Sequence, residues 1–208
     1  MIRTLAVATP AASQLLISDA DAKAELALTN ANDDVWLAAA IAQASAAIGA
    51  YCGRSEGFGA AQFVDTWRAV RPGRTVEALL LSRDLNIEIV SVLEDGTTLA
   101  SADYLLDGSM LRRLASDTPT AWRASKIVAT YTAGYDLPAD APADLARCCL
   151  DLCVRAYNAR GRDPGLRSER ILDVIAQSWD TPGGDGFKGG LPRDVADRLD
   201  PYIRYVAA

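Results

Sequence analysis

The chain has 208 residues, half of them hydrophobic, with a net charge of -6 and a pI near 4.7. That length supports one or two domains with a sizeable core, the acidic balance argues against gripping DNA by phosphate neutralisation, and no apolar run is long enough for a membrane-spanning helix. Histidine is absent, which excludes Ser-His-Asp and Cys-His catalysis and any histidine-ligated zinc.

Residues 1–17 hold Arg3 and scattered apolar positions. Pro10, Ser13 and Gln14 interrupt any signal-peptide core, so the segment reads as mature protein. Alanine supplies 38 residues, so much of the burial must come from closely approaching Ala-rich helices. A short helix is expected through Leu28, capped by Ser18 or Asp19. After a turn at Thr29–Asn32, Asp33 and Asp34 open a long helix to about Tyr51. Leu37, Ile41, Ala44, Ile48 and Tyr51 form its buried stripe, and Gly53 marks the stop.

From about 60 to 134 the period switches to two, with β-branched and aromatic residues. Strands are expected at Gln62–Val70, Glu77–Ser82, Ile87–Leu93, Tyr104–Leu106, Met110–Leu114 and Lys126–Thr132. Arg71-Pro72-Gly73, Asp95-Gly96 and Asp107-Gly108 are their turns. A small antiparallel sheet or barrel-like unit fits this spacing.

Helical patterning returns at about 140 and runs to about Arg160, with Asp140 as the expected cap and Pro142 in the first turn. Leu145, Cys149, Leu152 and Ala156 line one face, and Leu150, Cys153, Val154 and Tyr157 widen it. Arg147, Asp151 and Arg155 form an exposed charge ladder. The chain is less regular after Pro164. A glycine-rich stretch at 180–190 and a helix from Pro192 to about Asp200 lead to Tyr202-Ile203-Arg204-Tyr205.

The chemistry-bearing clusters mostly have plain explanations. Cys149 and Cys153 share a helix face, but a closed zinc site needs four ligands and only Cys52 stands apart from the Cys148–Cys153 cluster. The four cysteines read as small core residues in a reducing compartment. Lys188 in the Gly183–Gly190 loop lacks the following Ser or Thr and the strand-to-helix setting of a phosphate loop. That loop reads instead as a mobile arm ordering on a partner, with Phe187 as its apolar anchor. Asp19/Asp21 and Asp33/Asp34 are explained by capping and helix dipoles. Arg160, Arg162 and Asp163 close the long helix and are candidate contacts between subunits. Trp179, Phe187, Tyr202 and Tyr205 are candidate interface anchors, with core packing as the alternative. No residue set points to catalysis, a metal or a cofactor.

Leu15-Leu16-Ile17-Ser18-Asp19-Ala20-Asp21 through Leu26, then Asn32-Asp33-Asp34, resembles the opening of the head–tail connector (adaptor) proteins of tailed phages. The stretch Ala44–Tyr51 closing on Gly53-Arg54, the strands Leu79–Arg83 and Ile89–Val92, Tyr131-Thr132-Ala133-Gly134-Tyr135-Asp136-Leu137-Pro138, and Ala159-Arg160-Gly161-Arg162-Asp163-Pro164 follow in the same order. The resemblance covers about residues 15–170 and extends to the adaptor of phage-derived gene transfer agents. It implies an α+β fold: a helical bundle of the N-terminal helices plus the long helix at about 140–160, carrying an antiparallel β region at about 60–134 and a C-terminal arm. The corresponding domains are 15–58 with 138–178 as helical core, 60–134 as β insertion, and 180–208 as glycine-rich loop, short helix and tail.

Implied partners are copies of the chain itself in a ring of about a dozen, a portal protein above, a stopper or tail-side connector below, and double-stranded DNA passing without sequence-specific binding. No reaction, cofactor or membrane is implied. The expected location is the head–tail junction of a phage or phage-like particle, after a bacterial cytoplasmic stage. An acidic bore would let DNA slide. Trp179, Phe187, Lys188, Leu191, Tyr202, Ile203, Arg204 and Tyr205 are the expected portal-side contacts, and deleting 183–208 is expected to abolish portal binding while sparing the fold. Another stopper or tail-completion protein is the nearest alternative, and a carboxylate-dependent hydrolase a remote one.

Overall fold

Period-two patterning in the middle of the chain becomes two antiparallel sheets on one core. A computed structural model describes residues 1–71, 73, 75–160 and 186–204, and the backbone of 168–171 and 175–178. The fold is mixed α+β, and the chain divides into a β unit, Met1–Ser13 with Gly59–Asp136, and a helical unit, Gln14–Phe58 with Leu137–Ala208.

The strands of the β unit are β1 (Ile2–Thr9), β2 (Ala61–Arg68), β3 (Ala78–Leu80), β4 (Glu88–Glu94), β5 (Thr97–Thr98), β6 (Tyr104–Asp107), β7 (Met110–Ala115), β8 (Thr118–Thr120) and β9 (Lys126–Ala133). One sheet runs β1-β2-β9-β4-β5, the other β3-β7-β6 with β8 on β7. Both sheets are open, so the unit is not a barrel. Residues of β2 and β9 alternate between buried and half-buried, as a strand with one core face requires. Phe63, Trp67, Leu79, Leu111, Trp122, Ile127 and Tyr131 fill the core shared by the two sheets. The Trp122 indole N–H reaches the Leu111 carbonyl at 3.2 Å, so its one polar atom is satisfied.

Strand β1 falls where no strand is expected from the sequence, although Ile2, Thr4, Val7 and Thr9 are β-branched. It pairs along β2 from Ile2↔Arg68 to Val7↔Phe63, yet all eight of its residues are exposed. A strand with no buried face writes no alternation.

Gly134 explains the Tyr-Thr-Ala-Gly-Tyr stretch. Its φ is +119°, and a Cβ there would lie 2.5 Å from the Gly59 carbonyl oxygen. Only glycine allows that backbone approach, where Ala60 N–H donates to the Tyr135 carbonyl at 2.7 Å.

The helical unit contains α1 (Asp19–Glu25), α2 (Asp34–Tyr51), α3 (Ala143–Asn158), two short hairpins, β10 (Ser168–Ile171) with β11 (Ile175–Ser178) and β12 (Phe187–Lys188) with β13 (Leu191–Pro192), and then α4 (Arg193–Leu199). Ser18 caps α1 in a reciprocal box with Asp21. The expected cap of α3 is corrected: Pro142, not Asp140, is its N-cap, and no side chain caps it. The stripe of α2 is buried at Leu37, Ile41, Ala44 and Ile48, joined by Ala40, Ser45 and Gly49. The buried face of α3 is Leu145, Cys148, Cys149 and Cys153. Ala156, expected inside, is exposed.

Candidate interaction site on the helical unit

A shallow groove of about 790 Å³ lies between α2, α3 and the β12–β13 hairpin. Its floor is small because the sequence places alanine there: Ala40, Ala44 and Ala47 on α2 face Ala156 and Ala159 at the end of α3. Phe187 and Leu191 close one side, with Arg155 and Asp194 at the rim in an ion pair of 2.5 Å. An apolar trough with one charged pair at its edge suits contact with another macromolecule's side chains.

The sequence-predicted residues are dispersed around this unit. Arg160 is held within the chain: its guanidinium reaches Asp33 at 2.6 Å and stacks on the rings of Trp36 and Tyr157 at 4.7 and 5.3 Å. This corrects the reading of Asp33 as a capping residue, since it is the N-cap of α2 but makes no side-chain cap bond. Asp34 likewise pairs with Lys23 at 2.5 Å. Arg162, Asp163, Trp179 and Tyr205 lie outside the described residues.

Phe187 and Lys188 belong to a hairpin rather than a loose loop. Lys188 Nζ bonds Asp200 at 2.9 Å and Asp197 at 3.2 Å, and the Tyr51 hydroxyl donates to Asp200 at 3.2 Å. Hydrogen bonds to Asp200 and Asp197 hold the ammonium above its ordinary lysine value, and the bond from Lys188 holds the Asp200 carboxyl below the ordinary aspartate range. The reading of Gly183–Gly190 as a mobile arm is corrected for its described part, residues 186–190, where Lys188 already has acidic partners in its own chain; residues 183–185 lie outside the described residues. Sequence offered a signal for these partners, because Asp194, Asp197 and Asp200 recur every three residues just after Lys188.

Leu191, in β13 of the hairpin and paired with Lys188, is buried at 6% exposure. Tyr202, Ile203 and Arg204 are half-buried. The Arg204 N–H donates to the Cys52 carbonyl at 2.9 Å, its guanidinium meets Glu56 at 3.4 Å, and the Tyr202 ring packs edge-on to Phe58 at 6.3 Å. Val195, Ala196 and Leu199 of α4 are fully buried. A deletion of 183–208 therefore removes core, and the expectation that it spares the fold is corrected.

The four cysteines are buried thiols. Burial pushes Cys52 up to about 11 and raises Cys148. The hydrogen bond to Cys153, and then burial, raise Cys149, which also sits 3.6 Å from the Ser45 hydroxyl. The same hydrogen bond lowers Cys153 against its burial. Thiols held protonated in a core, as at Cys52, Cys148 and Cys149, are poor nucleophiles and poor ligands. Among the described residues, no three Cys, Asp or Glu side chains are grouped to hold a metal ion.

No family model matches the sequence, and no curated protein does. Solved structures do match the fold. It is similar to chains of gene transfer agent (GTA) particles. A chain of the virion of the native GTA particle matches at 19% identity and a TM-score of 0.51, over 98% of this chain and 96% of that one. One in the neck of the native GTA particle, computed with C12 symmetry, matches at 16% and 0.52, over 99% and 97%. One in the neck of the empty GTA particle, computed with C6 symmetry, matches at 18% and 0.53, over 100% and 98%. The likeness spans both units from end to end.

Proposed function

We propose that this chain is a structural subunit of the neck of a phage-like particle, a connector that assembles as a ring between capsid and tail. The observation that carries the proposal is the end-to-end fold likeness to chains in GTA necks, which extends over 97–98% of those chains. The order of the connector-like motifs in the sequence supports the same reading. In this role the helical unit is the connector core and the β unit its insertion. The ring binds a portal protein on the head side and a stopper or tail connector on the other. It forms or breaks no covalent bond, and double-stranded DNA passes through it.

The net charge of -6 supports passage rather than capture, because an acidic wall repels phosphates. The groove and the hairpin edge at Phe187 and Lys188, with Tyr202, Ile203 and Arg204 nearby in sequence, form the proposed portal-facing surface. Arg160 contributes by stiffening the junction of α2 and α3. The test is direct: purified chain is mixed with portal rings of candidate phage-like particles and viewed by electron microscopy. An added ring of density on the portal is expected. Portal rings that stay bare, or particles that complete their tails without this chain, overturn the reading.

A further inference from the structure

The five-stranded sheet of the β unit has two open edges, and they are chemically unlike. At one end β1 pairs with β2 on a single side. At the other, β5 pairs only with Leu93 and Glu94 of β4, and Leu99 N–H bonds the Val92 carbonyl, so Glu88–Ser91 has no strand on its outer side among the described residues. Monomeric proteins blunt such edges with charge, proline or brevity. Strand β1 is eight residues long, contains no proline and exposes Ile2 (62%), Leu5 (38%) and Val7 (54%). Leu5 and Val7 lie opposite the buried Asp65 and Phe63, so they continue the core face of the sheet and are exposed there. Val90, on the open stretch of β4, is 55% exposed.

We infer that β1 of one copy pairs with the Glu88–Ser91 edge of β4 in the next copy, making one sheet continuous from subunit to subunit. The direction of the strands selects a second copy as the occupant. Every pairing from β1 through β2 and β9 to β4 is antiparallel, so β1 and β4 run opposite ways. Copies repeated in the same orientation therefore bring β1 antiparallel to β4, as the sheet itself would continue. Such an interface joins two different patches, and a heterologous contact closes into a ring when its rotation allows. A two-fold β1–β1 contact would stop at a dimer. The inference rests on the ring reading above and adds the surface by which copies meet.

The test uses full-length chain reconstituted on portal rings. All four native cysteines are buried, so Thr4→Cys and Val90→Cys place the reactive thiols. With a short bismaleimide, the T4C/V90C double variant is expected to give a ladder of covalent dimers, trimers and higher species on a denaturing gel, and each single variant to stay monomeric. Dimers from T4C alone or V90C alone overturn the proposal in favour of like-with-like contact. Rings seen by microscopy without a ladder overturn edge pairing but leave the neck reading intact. Bare portals overturn both.

Discussion

Arg160 and Trp36 stack with the guanidinium carbon 4.7 Å from the ring centroid, across 124 positions of sequence, joining the end of α3 to the start of α2. The same guanidinium reaches Asp33 at 2.6 Å. Both partners of the ion pair are partly solvated, so its net worth is modest, and the stack adds to it. Arg160→Ala is expected to lower stability by about 1 kcal/mol, read from a denaturant midpoint at unchanged slope. Arg160→Lys is expected to recover only part, because an ammonium lacks the planar face that lies on the rings.

Inside the β unit, Asp65 is fully buried and accepts three hydrogen bonds: from Ser82 N–H at 2.6 Å, the Ser82 hydroxyl at 2.5 Å and the Tyr131 hydroxyl at 2.9 Å. Tyr131→Phe removes one donor and is expected to cost about 1–2 kcal/mol. Asp65→Ala strands the remaining donors and is expected to cost about 3 kcal/mol. Equilibrium unfolding of both variants checks the order.

That network also sets an alkaline limit. Burial, with the Asp65 carboxylate beside it, holds the Tyr131 phenol above the ordinary tyrosine value. A raised folded-state value means the contribution is complete below the ordinary value of about 10 and fades as pH rises above it. Ultraviolet titration of tyrosinate is expected to show one phenol ionising only with unfolding, and Tyr131→Phe to remove that step.

Gly134→Ala is expected to destabilise the β unit by more than about 1 kcal/mol, since the backbone carbonyl of Gly59 lies where the new methyl must go. The substitution at Gly73, where a Cβ meets nothing within 4 Å but φ is also positive, serves as the control for conformation alone. Comparing the two unfolding midpoints separates steric overlap from positive φ.

The hairpin at 187–192 is expected to loosen in acid. Asp200 titrates below its ordinary value because Lys188 bonds it. A depressed value means the pairing is present above about pH 4 and is lost as pH falls through the lower folded-state value. The protection factors of the Lys188 and Leu191 amides, taken against the intrinsic exchange rate at each pH, should fall there, and Lys188→Met should show the low protection already at neutral pH. Protection that is unchanged by acid would show the hairpin is held without Lys188.

Much of the architecture is legible in local pattern. Ser18 and Asp21 announce the start of α1, the stripe Leu37-Ile41-Ala44-Ile48 defines the inner face of α2, and alternation marks β2 and β9. These are properties of residues a few positions apart, and a period of 3.6 or 2 records which side meets a core. The expected C-terminal arm was harder, because Lys188 meets Asp197 and Asp200 only after the chain turns back through β13 and α4.

By itself, then, the amino-acid order determined the class of the protein: helices flanking a β-rich middle, in an acidic chain without histidine. Only the folded molecule decided that Asp33 pairs with Arg160 rather than capping its helix, that Leu191 and α4 belong to the core, and that residues 2–9 form an edge strand. The reason is one of distance along the chain. Propensity and periodicity are written within a turn or two, but which side chain satisfies a charge, and which strand edge stays open, depends on residues far apart in sequence that meet only when the chain closes on itself.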